Sequence, residues 1–217
     1  MWEYYTNFIL HAINILLFAW RFNQYSTPLK IIGINVIVTC IIEIYASNLS
    51  LRNINNLFLY HGMAIIHFSA LSLFYHLLIE NKILKLFILA ALPLFYACAV
   101  VNVLYFNKLE DYPSYLLIVK HSLTSIYVLA YFLQLFYNPK QQQVQLEPFF
   151  WISAGLLLSS LGNFFIEGLM NHLIERSNSI ALRFYLSGVV LTFVYYLSIS
   201  IALLVFNMSR KYPYLNT

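Results

Sequence analysis

Three ionisable side chains of this chain lie where a charge is expensive. Glu43, Lys120 and Glu167 each fall within an apolar run long enough to cross a bilayer as a helix. Charged groups at that depth face other helices or a water-filled cavity, and they are usually paired. The sequence therefore predicts an ion pair of Lys120 with either Glu43 or Glu167. For Lys120 the alternative is extension along the helix to the outer headgroups.

Histidine and amide side chains add hydrogen-bonding chemistry to the same runs. Asn163 and Glu167 are four residues apart and therefore share one helical face. His121 follows Lys120 directly, and His67 is the histidine placed deepest in its run, which makes it the candidate proton sensor. A structural hydrogen bond or ion pair is the alternative for each residue. The candidate ligand-binding or ion-pair residues are Glu43, His67, Lys120, His121, Asn163 and Glu167.

The composition indicates the elements that must position these residues. Of 217 residues, 61% are hydrophobic and 9% are charged, whereas a soluble domain carries about 25% charged residues. We predict an all-α membrane protein, a single domain over residues 1–217 that forms a bundle of seven transmembrane helices. The predicted spans cover residues 5–20, 31–49, 57–79, 83–106, 114–137, 149–173 and 183–206.

The distribution of lysine and arginine predicts the orientation. Cytoplasmic loops are enriched in these residues. One side of the predicted bundle carries Arg21, Lys30, Lys82, Lys85, Lys140, Arg210 and Lys211. The other side carries Arg52, Lys108, Arg176 and Arg183. This bias predicts an N-terminus outside, a C-terminus in the cytoplasm and a location in the cytoplasmic (inner) membrane.

With this orientation the candidate residues fall in the outer half of the membrane, and they predict a buried polar pocket there. His11 and His76 are expected at the membrane interface instead. Gly155 and Gly162 in the sixth span are expected to allow close helix packing.

Several kinds of chemistry find little support in the sequence. A catalytic zinc needs three protein ligands, yet His61 and His67 are six residues apart and do not share a helical face. The last span has no His, Asp or Glu, and no lysine for a retinal Schiff base. Cys40 and Cys98 are expected to be small apolar residues within spans. We expect no metal site and no nucleic-acid partner, and the cofactor is unknown.

Three stretches carry a shared pattern, at residues 41–45, 56–75 and 148–165. Together they resemble an uncharacterised group of bacterial seven-transmembrane proteins of similar length, which is similar to the membrane sensory regions of some histidine kinases. The group has an aromatic residue and a tryptophan at the start of the sixth span, matching Phe150 and Trp151, and an acid in the second span, matching Glu43. His67 stands where its members more often carry an acid. The resemblance implies a sensory or ligand-binding module.

The sequence as a whole thus favours a non-enzymatic sensory or ligand-binding module. A ligand or a proton is expected to change the pairing of Lys120, and the fifth to seventh spans to pass that change to the cytoplasm. The expected partners are the lipid bilayer and, because no kinase domain follows Thr217, a separate signalling protein or a second copy of the chain. The alternatives are an intramembrane lipid-modifying enzyme and a small transporter or proton-coupled channel.

Overall fold

The computed structural model describes residues 2–137 and 143–211, with side chains at 7–137 and 143–206. These residues are all-α, with no strand among them. The helices are α1 Trp2–Trp20, α2 Thr27–Leu51, α3 Phe58–Leu78, α4 Lys82–Val101, α5 Ser114–Tyr137, α6 Pro148–Gly168, α7 Met170–Arg176 and α8 Asn178–Lys211. Short 3₁₀ turns cover Phe22–Gln24 and Val144–Leu146, and α4 continues as a π-helix over Asn102–Phe106.

Six of these helices, α2 to α6 and α8, are long and apolar enough to cross a membrane. The apolar part of α1, Asn7–Trp20, is shorter. Many large apolar side chains are exposed along the helices, as is usual where a protein faces lipid rather than water. The architecture is that of a multi-pass helical membrane protein, as the composition predicts.

Local sequence signals account for several helix starts. Pro28 and Pro148 lie in the first turns of α2 and α6, where the missing N–H of proline has no helical partner to lose. Asn81 caps α4, because its side-chain oxygen accepts hydrogen bonds from the backbone N–H groups of Ile83 (2.9 Å) and Leu84 (3.2 Å).

The sixth and seventh predicted spans need correction at the point where they meet. The predicted helix over 149–173 is broken, since α6 ends at Gly168 and α7 begins at Met170. The side chain of Asn171 anchors the break by donating to the backbone oxygen of Tyr112 at 2.8 Å. The predicted connection over 175–182 is also wrong, because Ser177 alone separates α7 from α8.

Six helices form a closed ring, and the seventh long helix lies outside it. Around the ring, neighbouring helices contact each other in the order α1, α2, α3, α5, α6 and α8, and α8 contacts α1 again. Helix α4 packs outside the ring against α3 and α5. The ring therefore surrounds a central space to which α4 has no direct access.

One half of this central space is filled with buried side chains. It lies between the C-terminal half of α3, the N-terminal half of α6 and the C-terminal half of α8, where Phe74, Tyr75, Ile152 and Ala202 are completely buried. A hydrogen bond of 3.0 Å between the Tyr75 hydroxyl and Ser153 Oγ joins α3 to α6 across the ring. Packing of this kind closes the ring at that end.

Small residues bring α6 and α8 close together. A Cβ atom at Gly155 would collide with the side chain of Ser198, and one at Gly162 with that of Leu191. The expectation of close packing at both glycines is therefore confirmed. Because apolar side chains gain little by leaving lipid, close contact of this kind is a main source of attraction between membrane helices.

Helix α1 is held to α8 by polar contacts. Asn14 Nδ2 donates to the backbone oxygen of Tyr196 at 3.0 Å, and Ser200 Oγ donates to Asn14 Oδ1 at 2.8 Å. Both groups of the Asn14 amide are thereby satisfied inside the protein. These contacts close the ring between its first and last helices.

Candidate functional site

The other half of the central space is a cavity of about 580 Å³. Residues of all six ring helices line it. On α3 the lining extends from Tyr60 to Leu71, and on α8 from Tyr185 to Tyr196, a depth of about 16 Å at 1.5 Å per residue. This volume falls within the range of about 300–1,000 Å³ that is typical of small-molecule sites.

All six candidate residues from the sequence line this one cavity. They are Glu43 on α2, His67 on α3, Lys120 and His121 on α5, and Asn163 and Glu167 on α6. Four of the six ring helices thus contribute the candidate residues. Their assignment to ligand binding stays a prediction.

Glu167 is the centre of the charged cluster. Its Oε2 atom lies 2.8 Å from His121 Nε2 and 3.8 Å from Lys120 Nζ. Of the two acids that the sequence offers to Lys120, the structure therefore pairs Glu167. The side chain of Lys120 is 12% exposed and lines the cavity.

The contact with Glu167 fixes the role of the His121 ring. Because a carboxylate only accepts hydrogen bonds, Nε2 of His121 is the donor. Nδ1 of the same ring is buried and has no hydrogen-bond partner among the described residues. In a neutral ring this second nitrogen is an acceptor.

The neighbour of Glu43 is His11, and the position predicted for His11 is wrong. His11 was expected at the interface, but it is completely buried, and its ring packs against that of Tyr196 with centroids 4.1 Å apart. The reason is that α1 packs against α8, so the face of α1 that carries His11 points toward the interior of the protein. His11 Nε2 lies 3.8 Å from Glu43 Oε2.

Asn163 completes the polar part of the α6 wall. Its Nδ2 atom donates to Ser159 Oγ, one turn earlier, at 3.2 Å. The hydroxyl of Ser159 therefore shares the Asn163 face of α6. The Oδ1 atom is buried without a hydrogen-bond partner in the described chain and lies 3.0 Å from the position that a Cβ at Gly188 would take.

Several polar atoms of the lining residues are buried yet unpartnered within the described parts of the chain. They are Asn7 Oδ1, His67 Nδ1, His121 Nδ1, Thr124 Oγ1, Asn163 Oδ1 and the Tyr195 hydroxyl. Buried polar groups of native proteins almost always have a hydrogen-bond partner. At the cavity they form a surface that is suited to a polar ligand or to ordered water.

Most of the threonine and tyrosine hydroxyl groups of the cavity have no signal in the sequence. Thr39, Thr124 and Thr192 line it, together with Tyr60, Tyr112, Tyr185, Tyr195 and Tyr196. A tyrosine or threonine is common on every face of a membrane helix, so its residue type alone gives no signal. Thr39 is the exception, because it lies one turn before Glu43 and the spacing predicts that both share one face of α2.

Tyr112 in the loop before α5 covers part of the cavity. It is 8% exposed, and its ring lies 5.8 Å from that of Tyr60. Burial raises the pKa of the Tyr112 phenol well above its usual range, and the Glu167 carboxylate adds to this effect. Tyr112 therefore presents a neutral hydroxyl at neutral pH.

No family model, curated protein or solved structure matches this chain. The chemistry of the cavity is therefore the basis for a functional conclusion.

The remaining histidines and cysteines lie apart from the charged cluster. His61 Nε2 contacts the backbone oxygen of Asp111 at 3.1 Å, and His61 does not belong to the cavity lining. Cys40 and Cys98 are free thiols. Among the described residues no group of three His, Cys, Asp or Glu side chains is arranged to hold a metal ion.

Proposed function

We propose that this protein is a membrane-embedded sensory or ligand-binding module whose ligand occupies the cavity within the helix ring. The observation that carries the proposal is the gathering of Glu43, His67, Lys120, His121, Asn163 and Glu167 around one 580 Å³ cavity. Buried charges are costly in a membrane and are typical of ligand or ion sites. A purely structural ion pair would not need a cavity of this size beside it.

The shape of the cavity favours binding over passage. Its lining ends near the middle of the helices, at residues such as Thr39, Leu71 and Leu156. Beyond them the ring is packed with buried side chains around the Tyr75–Ser153 hydrogen bond. A ligand that enters from the α2–α3 and α4–α5 loops would be held rather than conducted.

The orientation belongs to this proposal. The end of the ring with the cavity carries Arg52, Lys108, Arg176 and Arg183. In the described part of the chain, the packed end carries Arg21, Lys30, Lys82 and Lys85, and α8 ends there with Arg210 and Lys211; Lys140 lies outside the described residues. By the positive-inside rule the cavity faces the outside of the cytoplasmic membrane, and seven segments, α1 included, cross it.

Helices α5, α6 and α8 are the proposed route to the cytoplasmic side. Lys120 and His121 of α5 contact Glu167 of α6, and α6 packs closely on α8 through Gly155. A ligand that changes the contacts of Glu167 would alter the packing of these three helices. A signalling protein or a second copy of the chain would receive that change.

Filling the cavity tests the proposal. Thr192→Phe adds a ring to the cavity wall, whereas Val190→Phe adds the same group at a position that is 59% exposed and outside the lining. We expect native mass spectrometry of protein extracted from its membrane to show a bound small molecule in wild type and in Val190→Phe. Thr192→Phe should lose it, and an equal mass excess in all three proteins, or none in any, would contradict the proposal.

A second candidate function is acid–base catalysis on a lipid, and the His121–Glu167 hydrogen bond favours it. Glu167 orients the ring. Nδ1 of His121, which has no hydrogen-bond partner in the described part of the chain, would act as a general base toward a substrate in the cavity. Reconstituted protein would then convert a lipid into a product detectable by mass spectrometry. His121→Asn should abolish that product if this candidate is right.

A further inference from the structure

The charges that line the cavity do not balance. Glu43 and Glu167 are two carboxylates, and among the described residues Lys120 is the single lysine or arginine of the lining. Lys120 and His121 both lie at Glu167. Glu43 has no lysine or arginine partner within residues 7–137 and 143–206. With both carboxylates ionised and the histidines neutral, the cavity therefore carries one negative charge, at Glu43.

His11, the neighbour of Glu43, cannot donate a hydrogen bond to the Glu43 carboxylate while its ring is neutral. His11 Nδ1 lies 2.8 Å from the backbone oxygen of Asn7, and since a carbonyl only accepts, Nδ1 carries the proton. His11 Nε2 is then an acceptor, and it is buried without a hydrogen-bond partner in the described chain. Neutral His11 therefore offers no N–H to the Glu43 carboxylate, which lies 3.8 Å away and lines the cavity.

The surroundings of Glu43 suit a cation with an apolar body. Glu43 shares a recess with Ala46, Tyr60 and Met63, and these residues continue into the cavity lining. Aromatic faces attract cations, and Phe8, Tyr60 and Tyr196 are among the lining residues. Deeper in the cavity the lining includes Leu71 and Leu156, which offer an apolar environment to a hydrocarbon chain.

From these observations we infer, on the basis of the proposed function, that the ligand is an amphiphile with a cationic amine. Its ammonium group pairs with the carboxylate of Glu43 at the cavity wall, and its apolar chain extends into the cavity. An anionic ligand would have to compete with Glu167 for Lys120 and would face the unpaired charge of Glu43. The sign of the ligand charge is therefore the property that the structure selects.

Three probes with the same chain and different headgroups test the inference. They are dodecylamine, which is cationic at neutral pH like a lysine side chain, dodecanol, which is neutral, and dodecanoate, which is anionic. Saturable binding to protein in lipid nanodiscs is measured by equilibrium dialysis, with empty nanodiscs as the reference for partition into lipid. Because a charge-assisted hydrogen bond is stronger than a neutral one, we expect dodecylamine to bind at least about tenfold more tightly than dodecanol.

Variants identify the position of the headgroup. Glu43→Gln should reduce dodecylamine affinity to about that of dodecanol, while Glu43→Asp, which keeps the charge, should retain a preference for the amine. Thr192→Phe should remove saturable binding of the probe, and Val190→Phe should not. If Glu43→Gln does not fold, the comparison of the three probes on the wild type decides the charge preference alone.

The outcomes separate the inference from the proposed function. Equal affinity for the three probes, a preference for dodecanoate, or an unchanged affinity in Glu43→Gln would overturn the amine assignment. If Thr192→Phe still removed that binding, the cavity would remain a ligand site of another specificity. Absence of any saturable binding sensitive to Thr192→Phe, for all three probes, would overturn the proposed function as well.

Discussion

At the scale of single residues, Glu167 of α6 is the common partner of Lys120 and His121 on α5. Its carboxylate accepts a hydrogen bond from His121 and lies 3.8 Å from Lys120. Both side chains of the ion pair are mostly buried, with 12% and 21% of their surfaces exposed. Removing one charge from such a pair leaves the other without compensation in a poorly solvated place, which is more harmful than removing both.

A double-mutant cycle on this pair follows from that reasoning. Glu167→Gln is expected to lower the free energy of unfolding by about 1–3 kcal/mol, and Lys120→Met in addition should restore much of the loss. Unfolding by sodium dodecyl sulfate in mixed micelles measures both values. Strictly additive losses in the double variant would show that Lys120 and Glu167 do not interact.

The residue types of the cavity could be predicted, but the partners of each residue could not. Glu43, Lys120 and Glu167 were recognisable because charges are rare in apolar spans. The choice between Glu43 and Glu167 as partner of Lys120 depends on which helices are neighbours, and α5 contacts α6 but is separated from α2 by α3 around the ring. His11 was misplaced for the same reason, since its burial results from the contact of α1 with α8.

At the scale of elements, the contact between α6 and α8 depends on the absence of a side chain. A Cβ at Gly155 would collide with Ser198 and would lie 3.3 Å from the backbone Cα of Tyr195. The latter cannot move away by a rotamer change. The two helices would therefore have to separate to accept any larger residue.

Gly155→Ala is accordingly expected to destabilise the protein by about 1–3 kcal/mol, as overpacked cores do. Gly62→Ala is the matched control, because a Cβ at Gly62 meets nothing within 4 Å. In a helix this control should be neutral or slightly stabilising, by up to about 1 kcal/mol. Thermal unfolding in the same detergent compares them, and equal melting temperatures for the two variants would contradict the close contact of α6 and α8.

The break between α6 and α7 shows a limit of sequence reasoning at this scale. Residues 149–173 contain no proline after Pro148 and remain largely apolar, so the sequence predicts one continuous helix. The structure ends α6 at Gly168, where a Cβ would lie 2.7 Å from Ile118 of α5. Asn171 then bonds to Tyr112. The end of α6 thus depends on contacts with α5 and with the loop before it, which cannot be read from the sequence of residues 149–173.

At the scale of the whole molecule, hydropathy predicts the helices but not their rotation. In a membrane protein the outer face is apolar like the core, so apolar periodicity does not show which side faces inward. Because hydropathy does show where each helix lies along the chain, the predicted spans agree with the long helices within a few residues at most ends. The closed ring, the position of α4 outside it and the hydroxyl groups of the cavity required the structure.

The orientation of the molecule can be tested by labelling. In a protein with Cys40 and Cys98 replaced by alanine, Ile54→Cys places a thiol in the loop at the cavity end, and Glu80→Cys places one at the packed end. Neither change removes a lysine or an arginine, so the charge bias is kept. We expect an impermeant thiol reagent to label Ile54→Cys in intact cells and to label Glu80→Cys only after the membrane is opened. The reverse pattern would invert the proposed topology.

The central claim is that the cavity of the helix ring holds a ligand. A high-resolution structure of the wild-type protein in lipid nanodiscs tests it most directly, because both the side chains and any bound molecule would be visible at Glu43, Lys120 and Glu167. We predict non-protein density that fills the cavity and contacts Glu43. A closed ring, in which the helices move together and Glu43 is paired with protein groups in a dry layer, would contradict the claim and make these residues structural.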